Sequence, residues 1–231
     1  MWELPFRRNV ESLSRALAGA GILDLGCGQG GIAEFFASLG GRVTGIDIAP
    51  SPRWRGGEPG GPEYVCGNAE SLPFRDDAFD IVVSCSTVQY VDHSSVFREI
   101  VRVTRDGGVV LLHENMPYNP AILIYRLMRK AHSVFSPSVR AYSSTITRYL
   151  TPDYPYPAAM RLENYRCYYL FSPLCFPLGA RTGIGRPSNL VSLVLRLDNW
   201  LLSRIPLLQK FCWFCSYTLS IRKQDTRPGQ G

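Results

Sequence analysis

The string Asp24-Leu25-Gly26-Cys27-Gly28-Gln29-Gly30-Gly31, set directly behind the apolar pair Ile22-Leu23, constrains this chain more than any other feature. Four glycines within Gly26 to Gly31 let a backbone turn tightly off a strand and come close to a ligand, where any Cβ would clash. Ile32 to Leu39 then carries apolar residues at helical spacing and stops at Gly40-Gly41. Strand, glycine loop and helix in this order open an α/β fold built around a ligand.

The alternation continues downstream. A short helix is expected over Glu11 to Ala20, ahead of a strand from Ile22 to Leu25. Arg42 to Ile48 reads as the second strand, Ala49 to Pro62 as a Pro- and Gly-rich loop, and Glu63 to Cys66 as a short strand. Phe79 to Ser84 is a continuous apolar, β-branched run suited to a strand buried on both faces. Val96 to Val103 has helical spacing, and Asp106-Gly107-Gly108 turns the chain into a strand at Val109 to His113. Such alternation implies a doubly wound, mostly parallel sheet with right-handed crossovers.

Beyond Glu114 the regular pattern weakens into Tyr, Pro, Ser and Arg, an elaboration on the fold. Helices are expected at Pro120 to Phe135 and Leu190 to Ser203, strands at Tyr165 to Phe171 and Trp213 to Arg222, and a frayed tail from Gln224. The expectation is one domain over 1–231. Residues 1–115 would form a cofactor-binding core, 116–190 an acceptor-binding cap with a late strand, and 190–222 an apolar helix with the final strand.

With 231 residues, the chain is long enough to bury a core without disulfides. Its 45% hydrophobic and 19% charged residues exclude a mainly disordered chain. Seven cysteines (27, 66, 85, 167, 175, 212 and 215) are an odd number, several in strand-like runs, which suits a reduced protein. Met1 to Arg8 lacks a signal-peptide core, and no stretch reaches about 18 uncharged apolar residues. A cytoplasmic location is expected. The formal charge is +6, but the basic residues are scattered with no run of five or more, so nucleic acid is not the expected partner.

Gly26, Gly28 and Gly31 also spell the dinucleotide pattern G-x-G-x-x-G, so the glycines alone do not choose a cofactor. Asp24 bears on the choice: a pyrophosphate is anionic, whereas the methionyl end of S-adenosylmethionine carries an ammonium and a sulfonium. A carboxylate there favours the cation. Asp47 ends the second strand 21 residues after Gly26, where an acid takes ribose hydroxyls in both cofactor classes.

Gly67-Asn68-Ala69-Glu70-Ser71-Leu72-Pro73-Phe74, then Phe79-Asp80 and the later Gly107-Gly108, complete a series that resembles the type 11 group of class I methyltransferases. The resemblance covers roughly residues 20 to 115, with the motifs in family order. It implies a Rossmann-like, seven-stranded sheet with a C-terminal elaboration and S-adenosylmethionine as cofactor. It further implies that backbone at Gly26, Cys27 and Gly28 meets the methionyl end, Asp47 and the adjoining Ile48 the ribose side, and Asn68 with Ala69 the adenine edge. Asp24 and Cys85 complete the candidate cofactor residues. The family usually has Asp where this chain has Asn68, whose amide oxygen still accepts a hydrogen bond.

Methyl transfer is an in-line displacement in which the protein mainly aligns the partners. Where the acceptor needs a base, His93, after the fourth strand, and His113, ending the fifth, are candidates, with Glu114 behind them. Tyr149, Tyr154, Tyr156, Tyr165, Tyr168 and Tyr169 either line an acceptor pocket or form a packed cap. Cys212-x-x-Cys215 has no second pair or spaced His, and on one strand the two would face oppositely, so core cysteines and no metal site are expected.

The apolar stretch 190–210, with Arg196, Arg204 and Lys210, either packs on the sheet or a second subunit, or lies peripherally in a membrane interface. A small, hydrophobic or lipid-linked acceptor is the leading expectation. A tRNA or RNA methyltransferase and a non-catalytic, cofactor-binding assembly factor are the alternatives. Acceptor identity and oligomeric state stay open.

Overall fold

The computed structural model describes residues 17–54, 60–133, 148–175 and 189–223. Seven strands form one sheet: β1 (Gly21–Leu25), β2 (Arg42–Asp47), β3 (Glu63–Cys66), β4 (Phe79–Cys85), β5 (Thr104–Asn115), β6 (Met160–Tyr168) and β7 (Phe214–Ile221). Their order across the sheet is β3-β2-β1-β4-β5-β7-β6. From β3 to β5 every neighbouring pair is parallel. β7 runs against β6: the Arg222 N–H reaches Ala159 O at one end, and the Trp213 N–H reaches Tyr168 O at the other.

Among the described residues four α-helices accompany the strands: α1 (Gly31–Ser38), α2 (His93–Val103), α3 (Pro120–Ser133) and α4 (Asn189–Arg204). All five residues of β1 are buried, as a strand covered on both faces requires. On one face Ala33 and Phe36 of α1 close over Ile22, Val43, Ile81, Val83 and Leu111. Asp92 caps α2 by accepting the Ser95 N–H at 3.0 Å, and Val96, Phe97, Ile100 and Val103 turn its apolar face inward.

The chain groups into two compact units: 1–113 with 152–165 and 216–231, and 114–151 with 166–215. In the second unit two buried polar residues fix the turn after β6. Asn119 donates to the carbonyls of Tyr169, Leu170 and Phe211, and Asp198 accepts the N–H groups of Leu170, Phe171 and Ser172 at 2.9 to 3.0 Å.

Several elements differ from their sequence expectation. The late strand spans Met160–Tyr168, not Tyr165 to Phe171, because Tyr169 adopts φ 65° and the chain then turns. β5 begins at Thr104: residues 105–108 bulge out between the pairs Phe79–Thr104 and Ile81–Val109, with Gly107 at φ 73°. The helix α2 starts three residues earlier than expected, so His93 is helical. Of the first expected helix only residues 17–20 are described, and the expected tail lies outside the described residues.

Candidate functional site

The parallel strands β3, β2, β1 and β4 bring their carboxyl ends to one edge of the sheet. Between β1 and β4 the strand order reverses, which opens the crevice where doubly wound sheets bind ligands. The expected cofactor residues gather there. Asp24 lies one residue before the end of β1 with Gly26, Cys27 and Gly28 behind it, Asp47 ends β2 with Ile48 next, Asn68 and Ala69 follow β3, and Cys85 closes β4.

The glycine loop is built by close approach. Gly26 sits at φ 75°, and a Cβ there would lie 2.0 Å from Thr87 Oγ1. Its N–H and that of Cys27 both bond to Ile46 O, at 2.8 and 3.0 Å, tying the loop to β2. Gly45 leaves room for the Cys27 sulfur, which a Cβ would meet at 2.9 Å. Gly28, at φ 51°, differs from Gly26: nothing lies within 4 Å of the position its Cβ would take.

Asp24 is 1% exposed, and neither carboxylate oxygen has a hydrogen-bond partner among the described residues. Burial pushes its carboxyl up to about 7; the backbone amide of Ala33 pulls the other way, and the charge of Asp47 adds to the rise. An orphaned acid under a glycine loop is costly unless a cation joins it. Burial, with the charges of Asp24 and Asp47, pushes the neighbouring Cys27 thiol up to about 12. Asp47 by contrast has one bond on each oxygen, accepting the Gly28 N–H at 2.8 Å and the Ala49 N–H at 3.1 Å. Ile48 beside it is 76% exposed.

Asn68 accepts the Glu70 N–H at 2.9 Å in a side-chain turn, and Glu70 accepts the Asp92 N–H at 2.7 Å. The segment behind it is held by α2. Arg102 donates to the Leu72 and Phe74 carbonyls and to Glu99 and Asp76, while Glu99 accepts the Leu72 N–H at 2.7 Å. Asp80 of the Phe79-Asp80 motif accepts the Gly21 N–H at 2.7 Å and pairs with Arg105, a role in strand alignment.

His113 is 2% exposed, shares a 2.6 Å hydrogen bond with Ser216 through Nδ1, and is pushed down to about 3 by burial. His93 is also buried and lies edge-on to Tyr154, beside Phe97. Tyr154 and Tyr156 belong to this cluster, whereas Tyr168 and Tyr169 pack within the second unit, Tyr169 against Trp213 and Phe214.

Sequence reasoning missed Thr87, Trp54, Tyr64, Glu99 and Arg102. Trp54 donates to Gly28 O at 2.8 Å and stacks on Tyr64 with centroids 5.1 Å apart. A lone Trp in a Pro- and Gly-rich loop carries no periodic signal. Arg102 and Glu99 were legible only as the polar face of a helix.

Cys212 and Cys215 lie together after all. The strand β7 begins at Phe214, so Cys212 stands outside it, and the opposite-face expectation fails for that reason. The Cys167 S–H donates to the Cys215 sulfur at 3.6 Å, and the Cys212 S–H donates to the Phe214 carbonyl at 3.2 Å. Among the described residues no cluster suited to a metal ion occurs.

A glycine loop after β1, an acid ending β2 and ligand-facing carboxyl edges at a strand-order reversal define a Rossmann-like cofactor-binding protein. Residues 23–112 match a family model described as a methyltransferase domain, of the type 11 group. The chain is 38% identical over 98 residues to a malonyl-[acyl-carrier protein] O-methyltransferase of Serratia marcescens, covering 40% of this chain and 37% of that one. It is 32% identical over 163 residues to a ubiquinone/menaquinone biosynthesis C-methyltransferase of Hahella chejuensis, covering 65% and 63%.

The fold matches the YcgJ protein of Bacillus subtilis with a TM-score of 0.55 at 17% identity, covering 94% of this chain and 99% of that one. It also matches an S-adenosylmethionine-dependent methyltransferase of Mesorhizobium loti with a TM-score of 0.52 at 19% identity, covering 91% and 97%. Residues 23–112 thus carry a methyltransferase domain of the type 11 group, and the fold around them is that of class I methyltransferases. It spans 31 to 40% of the length of the first curated relatives it matches.

Proposed function

We propose that this chain transfers the methyl group of S-adenosylmethionine to a small, hydrophobic or lipid-linked acceptor. The observation that carries the cofactor half is Asp24, a buried carboxylate whose two oxygens have no partner at the carboxyl end of β1. A cationic methionyl end answers that deficit; a pyrophosphate would worsen it. When bound, the cofactor supplies a methyl carbon activated by its positive sulfur.

The chain's own residues divide the binding. Asp24 balances the ligand's positive charge, and the open side of Gly28 admits it against the backbone of Gly26 to Gly28. Asp47 keeps lone pairs for ribose hydroxyls beyond its bonds to Gly28 and Ala49, and Ile48 offers an exposed apolar side chain to the adenine face. Asn68 retains one lone pair on its amide oxygen beside the Glu70 contact, enough for an adenine amine. Ala69 and Cys85 complete the walls.

Support for the acceptor class is indirect. Named relatives include methyltransferases of malonyl-[acyl-carrier protein], of phthiotriol dimycocerosates and of quinone biosynthesis, and the second half of this chain is rich in apolar and aromatic residues. A base role for His113 or His93 belongs to the same proposal; both are buried, so an acceptor would have to reach below the surface. Calorimetric titration with S-adenosylmethionine and S-adenosylhomocysteine tests the reading. Binding that weakens in Asp24→Asn is expected, and no binding of either ligand at about millimolar concentration overturns it.

A further inference from the structure

The basic charge and the exposed apolar surface of this chain fall on the same unit. Segments 114–151 and 166–215 contain eleven Lys and Arg but two acids, Glu114 and Asp198, and both acids are 1% exposed. The rest of the chain carries fourteen basic residues against seventeen acidic, so the excess of +6 arises wholly in the second unit.

The helix α4 of that unit is inverted. Its inner face carries Leu195, Asp198 and Leu202, of which Asp198 clamps the 170–172 turn and Leu202 is 4% exposed. On the opposite face Leu193, Leu197 and Trp200 recur at helical spacing and are 64%, 47% and 57% exposed. The exposed Arg196 and Arg204 share that stripe, and Lys210 follows in the short 3-10 stretch Pro206–Phe211, where Leu207 is exposed. On α3, Leu123, Ile124, Leu127 and Met128 form a second exposed apolar stripe. Both helices pack on the short turn Ser172–Cys175 of the same unit. Among the described residues no helix is long and apolar enough to cross a membrane.

We propose that this face of the second unit docks on an anionic lipid bilayer surface, with the apolar side chains of α3 and α4 in the headgroup boundary and Arg196, Arg204 and Lys210 against lipid phosphates. Aliphatic side chains in water cost free energy that the acyl boundary recovers, and basic residues add attraction to anionic lipid. A nucleic acid would use the charge but not Leu193, Leu197, Leu127 and Met128, since stacking on bases needs aromatic planes. A second copy of the chain would meet a surface of the same positive sign. The inference rests on the proposed lipid-linked acceptor for its purpose, because docking brings the enzyme to a membrane-resident substrate.

The test is cosedimentation of the full chain with phosphatidylglycerol vesicles and with phosphatidylcholine vesicles, beside titration of S-adenosylmethionine into the same preparation. Binding to the anionic vesicles is expected, weakened about tenfold or more by raising salt from about 0.1 M to about 0.5 M. The double variant Leu197→Glu/Trp200→Glu, altered only on the outer face, should lose vesicle binding while its circular dichroism and cofactor affinity stay unchanged. Arg196→Gln/Arg204→Gln should lose the preference for anionic lipid and remain folded.

Absence of vesicle binding in the wild-type chain overturns the inference, as does a tRNA fragment binding with salt-sensitive affinity that the Glu variants retain. A dimer that the Glu variants dissociate, with no vesicle binding, also overturns it. Vesicle binding without cofactor binding refutes the methyl-transfer reading and leaves docking standing; the reverse result does the opposite.

Discussion

Oδ2 of Asp47 accepts the backbone N–H of Gly28 at 2.8 Å, so the acid that ends β2 holds the tip of the glycine loop 19 residues behind it. One side chain thereby shapes the loop and, on the proposed reading, also takes the ribose. Asp47→Ala removes the bond and the ribose contact together. It should weaken cofactor binding at least about tenfold, with about 1 kcal/mol lost from stability. Asp47→Asn, which can still accept the Gly28 N–H, should recover most of the stability and little of the affinity. Thermal melts beside calorimetric titration separate the two effects, and equal affinity in all three proteins would show that Asp47 serves the loop alone.

The two inner glycines of the loop should respond differently to the same substitution. In Gly26→Ala the new methyl would lie 2.0 Å from Thr87 Oγ1 at φ 75°, so a loss of more than about 3 kcal/mol is expected. Gly28→Ala meets nothing within 4 Å and bears only the backbone penalty of φ 51°, about 1 kcal/mol. Its methyl would stand in the open space assigned to the cofactor, so affinity should fall while the fold survives. A Gly28→Ala protein that binds like the wild type would place the cofactor elsewhere.

Asp24 makes stability and binding depend on pH with opposite signs. Its carboxyl rises from 3.8 to about 7 on folding, so between those values the native chain holds a proton that the unfolded chain has lost. Stability of the ligand-free protein should therefore fall as pH rises through that window. A cationic ligand favours the ionised acid, so affinity for S-adenosylmethionine should rise between about pH 5 and pH 7, with proton release on binding. Melting series and calorimetry in two buffers of different ionisation enthalpy read both effects. Asp24→Asn should flatten both; an unchanged pH dependence of affinity in that variant would assign the effect to another group.

Much of this edge was legible in the sequence because it depends on local backbone chemistry. The strand and glycine loop from Gly21 to Gly31 needed only a burial pattern and left-handed turns, and β1, β2 and β3 fall within a residue of their expected bounds. What escaped depends on distant partners. Trp54 matters through Gly28 O, 26 residues away in sequence, and Arg102 through carbonyls 28 and 30 residues away. The end of β6 follows the left-handed Tyr169 and the buried Asp198 beneath it, and neither residue type announces that role. Cys212 and Cys215 are buried core cysteines as expected, but the contact of Cys215 with Cys167, 48 residues away in sequence, had no local signal.

Arg102 is expected to position the adenine-edge segment through five donated hydrogen bonds, two of them to the Leu72 and Phe74 carbonyls. Its side chain is 30% exposed, so the ion pairs with Glu99 and Asp76 are partly screened and the carbonyl contacts matter more. Arg102→Met should cost about 2 kcal/mol and loosen cofactor binding severalfold. Arg102→Lys keeps the charge without the fork and should recover little. Hydrogen exchange at the Leu72 amide, which bonds to Glu99, checks that the segment rather than the whole fold has opened.

Cys167 should be the most reactive thiol of this chain near neutral pH. Once ionised, the Cys167 sulfur becomes an acceptor for its thiol neighbours, Cys212 first and Cys215 second, which draws it down to about 5 against the opposing effect of burial. Its two partners are fully buried, while Cys167 is partly exposed. Between about pH 6 and pH 8 its alkylation by iodoacetamide should be nearly independent of pH, whereas an ordinary thiol accelerates about tenfold per unit below its pKa. Cys215 is the second of the two thiols that lower the Cys167 pKa. In Cys215→Ala the Cys167 pKa should climb toward the ordinary range and its alkylation at pH 6 should slow by an order of magnitude or so. Mass spectrometry of the modified peptides reads the site, and a wild-type rate that rises steeply through pH 8 would show that the sulfur cluster packs without polarising Cys167.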